Sequence, residues 1–407
     1  IDLSAQGHQP MANEDHSIWI SFNGEIYNYK DLRDDLIGRG HTFASGTDTE
    51  VIIHGYEEFG NGICSIIKGM FSFALWDCNR GELLLARDRF GKKPLYYWLS
   101  PNGIVFASEL TAFLQVPSFR PQIDIRCLSL YCAFEYVPTP FSIYKNVFKL
   151  PAGTYLTYDG KTSSVKKYWR ISFSEDDNVK LTEKEIKGKI ISLLGNAIEK
   201  RLMSDVALGT FLSGGIDSSA VVALMCDFVD PRSIKTFSIG FEDQSFDESS
   251  YARHVASCFK TDHREKIFTV QEMLDILPKV WSFLDEPYAD ASILPTYMLS
   301  KYTKETVTVA LGGDGGDELF CGYDPFLAHK LAYTYEKIPR FLRHGVIEPL
   351  IAGMPVSTNN MSMDFRLKQF VKGMKYPVSL RNQAWLGAFP PEQQNMLFSD
   401  MVKEELS

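Results

Sequence analysis

Seven consecutive residues, Ser213-Gly214-Gly215-Ile216-Asp217-Ser218-Ser219, combine the groups that an anion-binding loop needs. They follow the apolar run 206–212 and precede Ala220-Val221-Val222-Ala223-Leu224-Met225, which reads as a helix. The two glycines let backbone N–H groups come close to phosphate oxygens. A helix start adds exposed donors and the positive end of its dipole. Ser213, Ser218 and Ser219 supply hydroxyl donors. Asp217 would repel phosphate unless a cation lay between them, so it is assigned to Mg2+. The run lacks the Gly-Lys-Ser ending of a P-loop. A helix cap built from Ser and Asp explains one or two of these residues, not the whole run after a strand.

A second cluster, Leu311-Gly312-Gly313-Asp314-Gly315-Gly316-Asp317-Glu318, follows the apolar run 307–311. Its four glycines permit close backbone approach, and its three acids offer metal or acid–base chemistry. The structural alternative is a flexible Gly/Asp turn, the lesser reading even when the cluster is taken alone. A third string, Phe22-Asn23-Gly24-Glu25-Ile26-Tyr27-Asn28, offers the Asn23 amide and the Gly24 N–H to an oxyanion, and Glu25 to an ammonium. Asp48, in Ser45-Gly46-Thr47-Asp48-Thr49-Glu50, offers a second carboxylate. The structural alternatives are a hairpin turn at Asn23-Gly24 and a helix N-cap at Asp48.

The elements that must position these groups fall into two grammars. Residues 18–22 read as a strand, 29–39 and 49–59 as helices, and 70–76, 83–86, 95–98 and 104–107 as short strands. This predicts a layered α+β domain over residues 1–170. Residues 171–180, with Ser174-Glu175-Asp176-Asp177-Asn178, read as a linker. Residues 181–203 predict an amphipathic helix with Ile186, Ile190, Leu194, Ile198 and Leu202 on one face, opened by a Thr182/Glu185 capping box. Strands then alternate with helices: 206–212, a helix from 217, 234–239, a helix from 246, helices at 270–283 and 293–304, and strand 307–311. That alternation predicts a doubly wound parallel α/β domain within 181–407, with ligands at the carboxyl ends of its strands. Residues 324–407 read as mixed helices without evident chemistry.

Composition excludes several classes. The 407 residues are enough for two or three domains, and 45% hydrophobic content supplies a core. A net charge of −9 argues against broad nucleic-acid binding. No apolar run approaches the roughly 20 residues of a membrane helix. The seven cysteines form no CxxC pair, which fits free thiols in a cytoplasmic protein rather than disulfides or zinc.

The strand–SGGxDSS–helix unit resembles the pyrophosphate loop of N-type ATP pyrophosphatases. Within that group, residues 203–323 are similar to glutamine-hydrolysing asparagine synthetases. The carrying strings are Met203-Ser204-Asp205-Val206, Phe237-Ser238-Ile239-Gly240-Phe241, Asp285-Glu286-Pro287 and the run 314–323. The resemblance implies that Asp217 and Asp317 hold Mg2+–pyrophosphate and that Phe211, Ile239, Gly312 and Gly313 border adenosine. It places Asp314 where many members carry a catalytic Glu.

Residues 1–170 resemble a class II glutamine amidotransferase domain of the N-terminal-nucleophile type, with an αββα layering. The supporting strings are 23–28, 45–50, Gly69-Met70-Phe71-Ser72-Phe73-Ala74, Arg87-Asp88-Arg89-Phe90-Gly91 and Phe106-Ala107-Ser108-Glu109. The likeness implies an oxyanion hole from Asn23 and Gly24, ammonium binding by Glu25 and Asp48, and a structural role for residues 87–93 near the ammonia route. The family nucleophile is an N-terminal Cys acting with its own α-amino group. Residue 1 is Ile and no Cys precedes Cys64, whose setting is wrong for that role. Ile1-Asp2-Leu3 matches the segment after a family arginine, so the sequence is expected to begin inside the domain. A family lysine for adenylation is likewise expected beyond residue 407.

The leading expectation is ATP-dependent adenylation of aspartate followed by amidation with ammonia from glutamine. Glutamine, aspartate and ATP are the expected partners, without nucleic acid or membrane, and a homodimer is compatible with them. The alternatives are another acceptor carboxylate (a peptide, saccharide acid or β-lactam precursor) and a non-catalytic ATP-binding module.

Overall fold

The computed structural model describes residues 7–172, 181–202, 207–387 and 389–406. Most of the expected linker, the Met203-Ser204-Asp205-Val206 match and the Ile1-Asp2-Leu3 match lie outside the described residues. The chain divides into two compact units: Ile1–Cys127 with Val137–Asp205, and Leu128–Tyr136 with Val206–Ser407.

In the first unit an antiparallel sheet takes the order β1-β2-β3-β4-β8-β9: β1 (Met11–Ala12), β2 (Ile18–Ile26), β3 (Gly69–Asp77), β4 (Glu82–Arg87), β8 (Thr154–Tyr158) and β9 (Ser163–Lys167). A smaller sheet takes the order β6-β5-β7: β5 (Tyr96–Ser100), β6 (Gly103–Ala107) and β7 (Val147–Lys149). The continuous apolar run of β3 is explained by two cores, one on each face of the large sheet. Phe71, Phe73 and Leu75 pack with Leu84 and Ala86 of β4 against helices α1 (Tyr29–Gly38) and α2 (Asp48–Phe59). The intervening Ala74 packs with Leu83 and Leu85 against Leu95, Leu150 and Tyr97 on the side of the second sheet. Side chains alternate across a strand, so a strand covered on both faces loses its polar positions. The short helix α3 (Ile63–Ile66) buries Cys64 in the first of these cores.

The turn after β4 is tied by two side chains. Arg87 donates to the carbonyls of Lys93, Leu150 and Gly91, each at 2.8 Å. Asp88, 1% exposed, accepts from the N–H groups of Phe71, Phe90, Lys92 and Lys93 at 3.0–3.2 Å. Truncating an acceptor that satisfies four N–H groups strands buried donors. Asp88→Ala is expected to destabilise the first unit by about 3 kcal/mol or more, measured by chemical denaturation. Asp88→Asn, which keeps one acceptor oxygen, should lose less.

Helix α4 (Ile125–Phe134) crosses the boundary between the units. Its later part joins the second unit through Ser129 Oγ to Gln394 at 2.7 Å and Phe389 N–H to the Cys132 carbonyl at 3.1 Å. Helix α5 (Glu183–Leu202) begins at the expected capping box: Glu185 N–H reaches Thr182 Oγ1 at 3.3 Å and Thr182 N–H reaches Glu185 at 2.7 Å. It groups with the first unit, where Arg201 lies 4.3 Å from the Tyr27 ring. The expected apolar face is only partly covered. Ile198 is buried, while Ile186 and Leu194 are exposed.

The second unit has a parallel sheet in the order β12-β11-β10-β13, from β10 (Leu208–Phe211), β11 (Lys235–Phe241), β12 (Asp262–Phe268) and β13 (Val309–Leu311). Helices α6 (Ile216–Met225) and α7 (Ser249–Phe259) pack through Val222, Ala252 and Ala256 onto Leu212. Helices α8 (Val270–Phe283) and α9 (Ile293–Lys304) follow β12, and Tyr302 of α9 packs edge-on against Phe237 of β11. Beyond residue 324 the elements among the described residues are helices, including Asp324–Tyr335, Met363–Met374 and Pro391–Leu397. Among the described residues no helix is long and apolar enough to cross a membrane.

Candidate functional site

Both glycine–acid loops leave parallel strands at their carboxyl ends. From β10 the chain proceeds to β11 on one side, while β13 lies on the other. The loops therefore flank a topological switch point, where open α/β sheets bind ligands. Between them is a cleft of about 530 Å³. Its walls include Phe211, Ser213, Asp217, Ser218, Ile239, Gly312, Gly313, Asp314 and Asp317, all singled out by the sequence. Gly214, Gly215 and Ser219 belong to the first loop and the first turn of α6 rather than to that lining.

The first loop is held by its own serines. Ser213 Oγ and Ser218 Oγ are 3.0 Å apart, and the Gly215 N–H donates to Ser213 Oγ at 3.2 Å. Gly214 has φ +82°, and a Cβ there would lie 2.5 Å from the Tyr251 carbonyl carbon. The second loop lies against the first. A Cβ at Gly313 would come within 2.9 Å of the Ser218 nitrogen, and one at Gly316 would overlap the Asp217 carboxylate. Asp217 thus sits over the first turn of helix α10 (Gly316–Phe320).

These residues fit a phosphate chain with a hard cation. Helix α6 has no side-chain cap at its N-terminus. Ser219 Oγ is shielded and has no hydrogen-bond partner. Asp217, Asp314 and Asp317 bring oxygen donors to one cleft, the ligand type that Mg2+ takes. The sequence reading missed Glu248, Ser249 and Ala252 of the α7 region and Thr296 and Leu299 of α9, which complete the walls. Their three-residue spacing marks a helix face, but only the fold shows which strand ends that face meets. Tyr323, also in the cleft, donates to Glu318 at 2.8 Å, and this bond pushes its hydroxyl up to about 12.

In the first unit Asn23 and Gly24 are not a turn, which corrects that alternative. They continue β2 and pair with Ser72 and Phe71 of β3. Gly24 is required by this pairing, because a Cβ would overlap the Met70 carbonyl and lie 2.7 Å from the Phe71 Cα. The N–H of Phe22 is taken by Gln9 Oε1 at 2.6 Å and that of Ile26 by Asp48 Oδ2 at 2.8 Å. Strand N–H groups two residues apart point the same way, so the Gly24 N–H faces this same edge of β2, away from β3. Asp48 is the first residue of α2, and Thr47 is the N-cap, accepting from the Glu50 N–H at 3.2 Å. The Asp48 carboxylate therefore sits one residue from Glu25. Burial pushes its carboxyl above the ordinary range, while the Ile26 N–H pulls the other way.

Glu50 fixes the loop that presents Asp48. It accepts from the N–H groups of Ala44 and Ser45 at 2.6 and 2.8 Å and from Ser45 Oγ. Burial works against its charge, yet the facing His54 imidazole and bonds from Ser45 and Ala44 bring Glu50 down to about 2. Cys64 is fully buried, and burial pushes its thiol up to about 12, so it is no nucleophile.

Comparison with known proteins covers both units. A family model described as glutamine amidotransferase domain matches residues 1–169, and one described as asparagine synthase matches residues 189–401. A putative glutamine-hydrolysing asparagine synthetase 2 of Methanocaldococcus jannaschii is 39% identical over 84% of this chain and 69% of its own length. Glutamine-hydrolysing asparagine synthetase 1 of Bacillus subtilis is 37% identical over 89% of this chain and 56% of its own. A putative glutamine-hydrolysing asparagine synthetase of Mycobacterium tuberculosis is 34% identical over 87% of this chain and 56% of its own. The chain thus spans a little over half the length of two of these relatives and about two thirds of the third. With an amidotransferase match over the first unit and a synthase match over the α/β unit, this chain belongs to the glutamine-hydrolysing asparagine synthetase family.

Proposed function

We propose that the chain works in ATP-dependent conversion of aspartate to asparagine, with glutamine as nitrogen donor. The observation that carries this reading is the joining of the two glycine–acid loops in one cleft at the switch point of the parallel sheet. The Gly214 and Gly215 backbone and the hydroxyls of Ser213, Ser218 and Ser219 would cradle the pyrophosphate end of ATP. Phe211, Ile239, Gly312 and Gly313 would border adenosine. Asp217 and Asp317 would hold Mg2+, which neutralises charge on the departing pyrophosphate. The aspartate side-chain carboxylate attacks the α-phosphorus, and pyrophosphate leaves to give β-aspartyl-AMP. Ammonia then attacks the acyl carbon and AMP leaves. Asp314 would handle a proton in these steps.

In the first unit, the Asn23 amide and the Gly24 N–H would stabilise the oxyanion formed on the glutamine carboxamide. Glu25 and Asp48 would hold the α-ammonium of glutamine. The neighbouring positions of Ile26 N–H and Asp48 Oδ2, 2.8 Å apart, support that pairing of acids. The reaction is assigned to the cytoplasm.

The adenylate is tested by isotope transfer. Aspartate carrying heavy oxygen in its side-chain carboxylate, incubated with ATP and ammonium salt, should deliver one heavy oxygen to AMP. AMP without label, or label in ADP or inorganic phosphate, would replace adenylation by another chemistry.

A further inference from the structure

We propose that His41, His54 and Glu57 of the first unit form a binding site for a borderline divalent cation of the Zn2+ class. The site lies outside both candidate catalytic regions and follows from the α1–α2 packing. His41 lies in the segment after α1, and His54 and Glu57 lie one turn apart on α2. Potential ligand atoms of all three lie within 4.8 Å of one another. Glu57 Oε2 is 2.8 Å from His54 Nδ1 and 3.4 Å from His41 Nδ1. A tetrahedral ion with bonds of about 2.0 Å has ligand atoms about 3.3 Å apart.

The surroundings match what orients metal-bound imidazoles. In such sites the second ring nitrogen usually faces a carboxylate. Here His54 Nε2 faces Glu50 Oε1 at 3.6 Å, and His41 Nε2 faces Glu58 Oε2 at 3.5 Å. His54 Nε2 is itself buried without a hydrogen bond, and its side chain is 2% exposed. The second carboxylate oxygens are already engaged. Asn13 Nδ2 donates to Glu57 Oε1 at 2.8 Å, and Arg39 Nη1 donates to Glu58 Oε1 at 2.9 Å. Phe43 packs edge-on against the His54 ring at 4.6 Å. The Glu57 and His41 side chains, 24% and 18% exposed, leave an approach from solvent. Two imidazoles and one carboxylate select Zn2+, Co2+ or Ni2+ over Mg2+ or Ca2+, which prefer all-oxygen sets. Glu50 also accepts from Ala44 and Ser45, so the cation would brace the loop leading to Asp48.

The competing arrangement is a protonated His54 shared by carboxylates with no cation. Although burial pushes the imidazole down, Glu50 and Glu57 hold it up at about 9. Titration of the purified protein with Co2+ under reducing conditions separates the two. The unaltered protein should bind one equivalent with the visible bands of four-coordinate, nitrogen-ligated Co2+, and Zn2+ should abolish them. His41→Ala and Glu57→Gln, at partly exposed positions, should each weaken binding at least tenfold while circular dichroism is unchanged. His41→Asn serves as a second variant if His41→Ala does not fold. Asp217→Asn should leave the bands intact, separating the site from the ATP cleft. Absence of the bands, or equal binding by the folded variants, would overturn the proposal.

Discussion

Asp217→Asn is expected to lower AMP formation at least about 100-fold, a loss of roughly 3 kcal/mol of transition-state stabilisation. The substitution keeps the size of a side chain that lies over the first turn of α10, against Gly316, so the loops should stay joined. What it removes is the negative charge that would hold a cation against pyrophosphate. The carboxylate also sits in the first turn of α6, where its charge contributes about 0.3–1 kcal/mol to helix stability. That term is too small to unfold the unit. Activity should therefore collapse with little change in thermal stability. A variant that keeps near-normal AMP formation would remove Asp217 from the site.

Gly214→Ala should do the reverse and damage both stability and binding. The position has φ +82°, and the new methyl would lie 2.5 Å from backbone and side-chain atoms of Tyr251 in α7. Left-handed backbone costs a non-glycine residue about 1–2 kcal/mol, and overpacking adds about 1–3 kcal/mol. A destabilisation of about 3 kcal/mol is expected, with ATP affinity falling at least tenfold as the loop is displaced. Gly215→Ala provides the contrast. Its φ is −67° and its nearest obstacle is Ser213 Oγ at 3.2 Å, which can rotate away. Denaturation and ATP titration of the pair should separate a glycine needed for its backbone angle from one that is not. Equal stability of the two variants would contradict the loop geometry.

The two glycine–acid loops were legible because the residues proposed to do the chemistry are contiguous and follow apolar strands. Residues 213–219 and 312–318 needed only the strand order to become neighbours, and β10 beside β13 supplies it. Other features depended on partners distant in sequence. Asn23-Gly24 is turn-prone locally, but pairing with Ser72 and Phe71 keeps it in a strand. The polar segment Asp262–Phe268 is not evident as a strand because it is an edge, paired among the described residues only with β11. Helix α5 shows helical periodicity, yet periodicity does not say how much of a face is covered, and Ile186 and Leu194 remain exposed. The walls contributed by α7 and α9 carry ordinary small and apolar residues whose role appears only once packed. His41 and His54 are far apart in sequence, a spacing that means nothing until α1 and α2 fold together.

Pyrophosphate–ATP exchange in the purified protein tests the central claim most directly. With labelled pyrophosphate and Mg2+, label should enter ATP only when aspartate is present, and Asp217→Asn should abolish the exchange. Failure of aspartate to support exchange, or exchange that survives Asp217→Asn unchanged, would contradict an aspartate-adenylating site built on the two loops.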